Sequence, residues 1–396
     1  MILSNYVELN PRVNLPKNAN APFVSMDIIT PGTRRVYPVQ ERPATGSGSK
    51  FAPGDILFAR ITPCLENGKI AQYAGDRPGM GSTEFFVLRA RDGISDPAYV
   101  YYFSQSQDLR SAAEKSMSGA SGRQRAVISS LSEFECKFPP LHVQQITAGI
   151  LSAYDDLIEN NQRRIRILEE MARSLYREWF VRFRFPGHES HRMVDSALGK
   201  IPEGWGVSKL GDVAEVNRAQ INARSAPEEL HYIDISSVSP GQIDSITTYV
   251  FANAPGRARR IIQHGDVLWS CVRPNRRSHT LVMHPERDTI ASTGFAVLTA
   301  TKVPFTFLYF ATTTDDFVAY LTNNATGAAY PAVTASTFEK ADLLVPSAML
   351  LRKFGDATIP MTEEIHTLQR QNQNLRRTRD LLLPRLLLGQ VHVDKE

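Results

Sequence analysis

Gly54-Asp55-Ile56-Leu57-Phe58-Ala59 is echoed by Gly265-Asp266-Val267-Leu268-Trp269-Ser270, 211 residues further on, and each stretch is closed by a proline, Pro63 and Pro274. Working outward, Ser82-Thr83-Glu84-Phe85-Phe86-Val87-Leu88 is matched by Ser292-Thr293-Gly294-Phe295-Ala296-Val297-Leu298 at an offset of 210, and Tyr102-Phe103 by Tyr309-Phe310 at 207. Upstream, Phe23-Val24-Ser25-Met26 aligns with Tyr232-Ile233-Asp234-Ile235, and a Pro-Gly pair follows each, at 31–32 and 240–241. One such echo would be chance. Four in the same order and nearly the same spacing imply a tandem duplication of a unit about half the chain long.

The segments at 54–60, 84–89, 265–272 and 294–299 are rich in β-branched and aromatic residues and flanked by Gly, Pro and Asp, so they are predicted to be short strands. Gly-Asp ahead of an apolar run suits a tight turn, where Gly supplies positive φ and Asp bonds nearby backbone. The pair is expected to be structural. Each copy is therefore a β-rich α+β globule.

A long helix is predicted after each copy. Beyond Phe138-Pro139-Pro140, apolar or core-compatible residues fall at Val143, Ile146, Ile150, Ala153, Leu157, Asn161, Ile165, Leu168, Ala172, Leu175 and Trp179. After the second copy, Met361, Ile365, Leu368, Asn372, Leu375, Arg379, Leu382 and Leu386 alternate steps of four and three, a heptad seam. Rods of 30 to 40 residues would run about 45–60 Å, longer than a helix serving only its own globule, and the expectation is that the two pair with each other as an antiparallel coiled coil with a pseudo-two-fold relation. The pairing residues are then Ile150, Leu157, Asn161, Ile165, Leu168, Leu175 and Trp179 with Ile365, Leu368, Asn372, Leu375, Leu382 and Leu386. Buried amides at Asn161 and Asn372 would penalise slipped pairings, and Pro360 and Pro384 should confine or bend the second rod near its ends. The expected organisation is a first domain at 1–140, a central long helix and connector at 141–200, a second domain at 201–345 and a C-terminal long helix at 346–396.

A chain of 396 residues exceeds one ordinary domain. With 42% hydrophobic and 22% charged residues, 24 Gly and 24 Pro, disordered, collagenous and membrane classes lose their weight. No apolar run reaches the roughly 18 residues of a membrane span, and the opening residues lack the pattern of an export signal, so the cytoplasm is the expected location. Cys64, Cys136 and Cys271 form no CxxC pair, which argues against a zinc module or a disulfide framework. The net charge of +4 makes any nucleic-acid site a local one.

Catalytic motifs are missing: no P-loop, no FxGxG cofactor loop, no Asn-Pro-Pro-aromatic tetrad, no HExxH and no GxSxG. Thr45-Gly46-Ser47-Gly48-Ser49-Lys50 departs from phosphate-binding spacing and is better read as a loop. Glu135-Cys136-Lys137 has the Glu-x-Lys form of a nuclease metal site with Asp108 as a conceivable partner, but the triplet is common by chance. The nine histidines show no ligand spacing on a helix, so no metal site is expected.

The loops carry the candidate chemistry. In the first copy Arg34, Arg35, Lys50, Arg60, Lys69, Ser121, Arg123, Gln124 and Arg125 combine phosphate-binding cations with forked donors suited to base edges. The second copy offers Arg257, Arg259, Arg260, Arg273, Asn275, Arg276, Arg277, His279 and Tyr330. Singly, each is more often a solvated surface group. Together they cluster at equivalent loops and differ between copies (Arg60 against Cys271, Thr62 against Arg273) while the framework repeats, which suits two domains that recognise two different things.

At this point the chain resembles the DNA-specificity subunit of type I restriction-modification enzymes. The resemblance rests on Gly54 to Arg60 and Gly265 to Leu268, on Phe138-Pro139-Pro140-Leu141-His142-Val143-Gln144-Gln145-Ile146, and on Glu159-Asn160-Asn161. Leu168-Glu169-Glu170-Met171-Ala172, Trp179-Phe180-Val181-Arg182-Phe183, Ile201-Pro202-Glu203-Gly204-Trp205 and the tail from Leu382 to Val393 complete it, so nearly the whole chain is covered. It implies two target-recognition domains, each binding half of a split double-stranded DNA sequence, with paired helices as a ruler. It further implies two docked methyltransferase subunits and a restriction/translocase subunit, so that S-adenosylmethionine, ATP and magnesium belong to those partners and none to this chain. The first copy has no counterpart of Ile201-Pro202-Glu203-Gly204-Trp205, a departure from the family pattern that suggests a trimmed edge strand.

Two readings from other classes stand beside this one. The first is a stand-alone metal-dependent nuclease using Asp108, Glu135 and Lys137. The second is a coiled-coil adapter with no DNA role, for which no salt-dependent DNA binding is expected.

Overall fold

The computed structural model describes residues 1–16, 19–44, 47–119, 122–222 and 224–391. The chain forms two compact units: residues 1–162 with those from 370 onward, and residues 163–369. The unit boundaries thus fall inside the two long helices, Leu141–Tyr176 (the central helix) and Ala348–Leu387 (the C-terminal helix), and each unit holds one β-rich copy with a piece of both. No helix among the described residues is long and apolar enough to cross a membrane.

In the first unit the strand Ile56–Ala59 lies between Phe85–Ala90 and Ile70–Tyr73, with Val7–Leu9 and Arg35–Val36 at the edges. All four of its residues are buried. Ile56 and Phe58 point to one core, shared with the helix Pro97–Ser104, and Leu57 points to another, shared with Phe51 and Val24 of a second sheet. A strand covered on both faces reads as a continuous apolar run for this reason. The second sheet runs Gln40–Pro43, Asn20–Val24, Gly79–Gly81, Ser49–Phe51, with Asn20–Val24 and Gly79–Gly81 parallel.

The second unit repeats the plan. Val267–Ser270 lies between Phe295–Ala300 and His279–Leu281, and the second sheet runs Thr247–Val250, Glu229–Ile233, Thr289–Ser292, Ala258–Ile261, again with its two inner strands parallel. The helices Pro97–Ser104, Gln107–Lys115 and Ser129–Ser132 have counterparts in Phe305–Thr312, Asp315–Asn323 and Ala335–Glu339. Both Gly-Asp turns are structural. Gly54 and Gly265 hold φ of +89° and +86°, while the Asp55 and Asp266 carboxylates accept the amides of Ala52 (2.7 Å) and Gln263 (2.8 Å). Asp55 also takes a two-pronged bond from Arg89, 2.7 Å on each arm. Its counterpart Asp266 has only the Thr299 hydroxyl at 2.7 Å, and burial raises its pKa.

Within the first unit the two helical pieces run antiparallel. The Asn161 amide donates to Asn372 Oδ1 at 3.1 Å, Asp155 pairs with Arg379, and Leu386 shares a core with Ala148 and Leu151. Within the second unit Arg164 pairs with Glu364 at 2.6 Å. Asn161, Ile165, Leu168, Leu175 and Trp179 lie on the inward side, as do Ile365, Leu368, Asn372, Leu375, Leu382 and Leu386. Ile150 and Leu157 do not: they are 36% and 46% exposed. The buried face there runs through Gln144, Thr147, Ala148, Leu151, Asp155 and Ile158, a different frame from the apolar count. Two of its polar members are bonded inside. Gln144 donates to the carbonyls of Ile94 and Pro139 and accepts the Asp96 amide, and Asp155 accepts the Tyr102 hydroxyl. Pro360 and Pro384 interrupt neither end, since the helix is assigned continuously through both.

Three residues expected on DNA-facing loops are instead structural. Arg34 is 7% exposed, with its guanidinium bonded to Ser152, Tyr102 and Asp156. Arg35 pairs with Asp156 (2.7 Å) and Glu159 (2.8 Å) of the central helix. His279, 6% exposed, sits between Trp269 and Tyr309. Its Nδ1 has no hydrogen-bond partner among the described residues, and burial, with Arg173 and Arg277 nearby, lowers its pKa to about 4.

Two outcomes follow from these interior groups. Breaking the buried Asp155–Arg379 pair by Asp155→Asn or Arg379→Met should cost about 3–5 kcal/mol in urea unfolding, whereas the double change Asp155→Leu with Arg379→Met should recover most of it. Because the unfolded His279 protonates near 6.5 and the folded one only near 4, unfolding takes up a proton between these values. Stability should therefore fall as pH drops through that window, by about 2 kcal/mol between pH 7 and 5. His279→Phe should remove this part of the pH dependence.

Candidate nucleic-acid interface

In each unit a glycine-containing loop is laced to the segment that follows the doubly buried strand. In the first, Ile61 and Ser118 both bridge to Arg125, Thr62 N donates to Gln124 O at 3.0 Å, and Ala126 N donates to Arg60 O at 2.7 Å. In the second, Val272 and Thr326 both bridge to Ala332, Arg273 N donates to Pro331 O at 2.7 Å, and Val333 N donates to Cys271 O at 2.9 Å. The same lacing therefore brings together Arg60, Arg123, Gln124 and Arg125 in one unit and Arg273, Asn275, Arg276 and Tyr330 in the other.

The side chains on these two frames differ in chemistry. In the first unit Arg125 grips the Glu84 carboxylate with Nε at 3.0 Å and Nη2 at 2.7 Å. Arg60 approaches the same carboxylate at 3.6 Å and lies over the Phe86 ring at 5.2 Å. Arg123 is exposed, and Gln124 is half-buried. In the second unit the position of Glu84 is Gly294, so the carboxylate that Arg60 and Arg125 share has no counterpart there. Arg273, at φ +51°, lies over the Tyr330 ring at 4.7 Å and bonds the Ala329 carbonyl at 3.3 Å. Tyr330 is 69% exposed, and Asn275 and Arg276 are exposed beside it. The first frame presents charge-ordered guanidinium groups and the second a cation stacked on an aromatic face with exposed amide and guanidinium donors. Both are suited to phosphates and base edges.

The remaining candidates are dispersed. Lys50 is exposed on Ser49–Phe51, whereas Lys69 is engaged, donating to the Met26 carbonyl at 2.8 Å. Arg257 is exposed. Its neighbour Arg259 lies over Phe251 at 5.2 Å and bonds the Ala258 carbonyl. Arg260 is half-buried. Arg277 pairs with Asp315, and that bond holds the Asp315 carboxyl below the usual carboxylate range. Ser121 lies outside the described residues, as do Thr45 and Gly46. Asp108 stands in the first turn of Gln107–Lys115, while Glu135 is bridged to Ile2.

Two residues of this surface escaped sequence reasoning. Glu84 is a lone carboxylate among expected cations, and only its contacts with Arg60 and Arg125 reveal a role. Arg42, stacked 3.8 Å above the Phe23 ring, lines one shallow groove with Ser82 and Thr83, next in sequence to Glu84. No spacing signal marks it.

Residues 12–170 match the family model for the type I restriction modification DNA specificity domain. The type I restriction enzyme MjaIX specificity subunit of Methanocaldococcus jannaschii is 25% identical over 354 residues, which cover 87% of this chain and 79% of that one. The HindI specificity subunit of Haemophilus influenzae is 22% identical over 409 aligned positions, covering 85% and 86%. Among solved structures, the type I restriction-modification system S subunit from M. genitalium matches over 98% of this chain and 95% of its own with a TM-score of 0.57 at 17% identity, a likeness of fold. A duplicated α+β frame and two long helices thus go with similarity, over most of the chain, to the type I restriction-modification DNA specificity subunits.

Proposed function

We propose that this chain reads a bipartite double-stranded DNA target, one segment with each laced loop pair, and contributes no catalytic group. The observation that carries the reading is the same backbone lacing in both units with different side chains on it: Arg60, Glu84, Arg123 and Arg125 on one, Arg273, Asn275, Arg276 and Tyr330 on the other. Arginine and lysine anchor phosphates, forked Arg, Asn and Gln donors read base edges, and the length of the long helices sets the spacing between the two DNA segments. The chain serves as scaffold for two methyltransferase subunits and for restriction/translocase subunits in the cytoplasm. S-adenosylmethionine, ATP and magnesium belong to those partners.

Sequencing the methylated sites made by the assembled complex tests the division of labour. Arg125→Ala should relax one half of the target, and Arg273→Ala the other, each by about 1–3 kcal/mol of discrimination. Simultaneous change of both halves by either variant would refute the reading. Deleting a whole number of turns from both helices should alter the spacer alone.

The enzymatic alternative is separated by incubating the purified chain with plasmid and magnesium. DNA binding that weakens with salt and leaves the plasmid intact is expected. Cutting that disappears in Glu135→Gln would instead make the chain a nuclease.

A further inference from the structure

In the second unit the folded chain gathers residues that lie far apart in sequence. His264 follows the strand Ala258–Ile261, His284 follows His279–Leu281, and Glu363 lies on the C-terminal helix. One ligand-type atom from each falls within 4.8 Å of the others. The Glu363 carboxylate turns one oxygen to each ring: Oε2 is 2.7 Å from His284 Nε2, and Oε1 is 3.9 Å from His264 Nε2. The two rings lie 4.4 Å apart, and His366, one turn beyond Glu363 on the same helix, brings a third imidazole 5.6 Å from that of His284. His284 is held at φ +44°, a left-handed conformation uncommon for a residue with a side chain.

In the first unit the central helix is tied to its β-rich domain by ion pairs from Arg34 and Arg35 to Asp156 and Glu159 and by the Tyr37 hydroxyl, which donates to Glu159 at 2.9 Å. In the second unit Glu363 of the C-terminal helix meets imidazoles of the β-rich domain.

We propose that this cluster is a divalent transition-metal site, with zinc as the ion its chemistry fits best, and that the metal ties the C-terminal helix to the β-rich domain of the second unit. Imidazole nitrogen with carboxylate oxygen is a borderline donor set that favours zinc and its neighbours over magnesium or calcium. Metal bonds of about 2.0–2.2 Å need donor atoms near 3.3 Å apart, and small rotations of half-exposed side chains close the observed spread. His264 gives up a weak bond in the exchange, since its Nδ1 accepts the His284 amide at 3.3 Å. Strong metal coordination outweighs that loss. The ion would bind the folded unit and not the unfolded chain, and so would stabilise it.

The test uses the full chain stripped of metal, titrated with zinc by calorimetry and assayed for retained metal after gel filtration. One zinc per chain is expected, with a melting temperature raised by a few degrees. His284→Asn, which tolerates the left-handed backbone, and Glu363→Gln should each weaken binding roughly tenfold or more and abolish the thermal shift, whereas His188→Asn should change neither. The two variants are read independently, so a folding defect in one leaves the other to decide. No retained zinc in the parent chain, or unchanged affinity in a folded His284→Asn or Glu363→Gln protein, would overturn the proposal and leave the cluster a hydrogen-bonded contact only.

Discussion

A strand buried on both faces must enter the protein through a turn whose polar groups are satisfied out of water. Asp55 and Asp266 meet that demand, each accepting the amide three residues before it, and each is almost wholly buried. The residues that complete them differ, a guanidinium in one copy and a hydroxyl in the other. Burial shifts the second aspartate toward its neutral form. Everything further out depends on these entries: the central strand fixes the sheet, and the segment leaving the strand fixes where the laced loop lies.

The proposed reading surface lies where the two copies agree in backbone bridging and differ in side chain. The bridges from Arg125 and from Ala332 repeat the same geometry, yet one frame carries a carboxylate braced by arginines and the other an arginine on a tyrosine. A rigid frame with exchangeable loops is a physical solution to recognising two unlike sequences, because the ordering cost of the loops is met by backbone bonds that do not depend on what the side chains read.

The duplication was legible because glycine, aspartate and apolar alternation are dictated by backbone geometry, which both copies share. The C-terminal seam was legible for a related reason: Leu368, Asn372, Leu375, Leu382 and Leu386 all face inward in heptad order. The first part of the central helix misled, since Gln144, Thr147 and Asp155 are buried, Gln144 and Asp155 with internal partners, while Ile150 and Leu157 face outward, and periodicity counts only apolar residues. The same blindness placed Arg34, Arg35 and His279 on the surface. An arginine in a loop has no sequence mark that tells a phosphate ligand from a clamp on a helix, and Glu84 was hidden because its role exists only through its arginine partners.

On the proposed reading the laced loops, rather than any other face of either unit, meet DNA. Hydrogen exchange of the full chain with and without a duplex carrying its target tests this most directly. Slowed exchange confined to residues 60–63 and 122–126 in the first unit and 271–278 and 326–333 in the second is the predicted result. Protection falling instead on the hairpin of Met193–Ser196 and Gly199–Pro202, or on one unit alone, would contradict it.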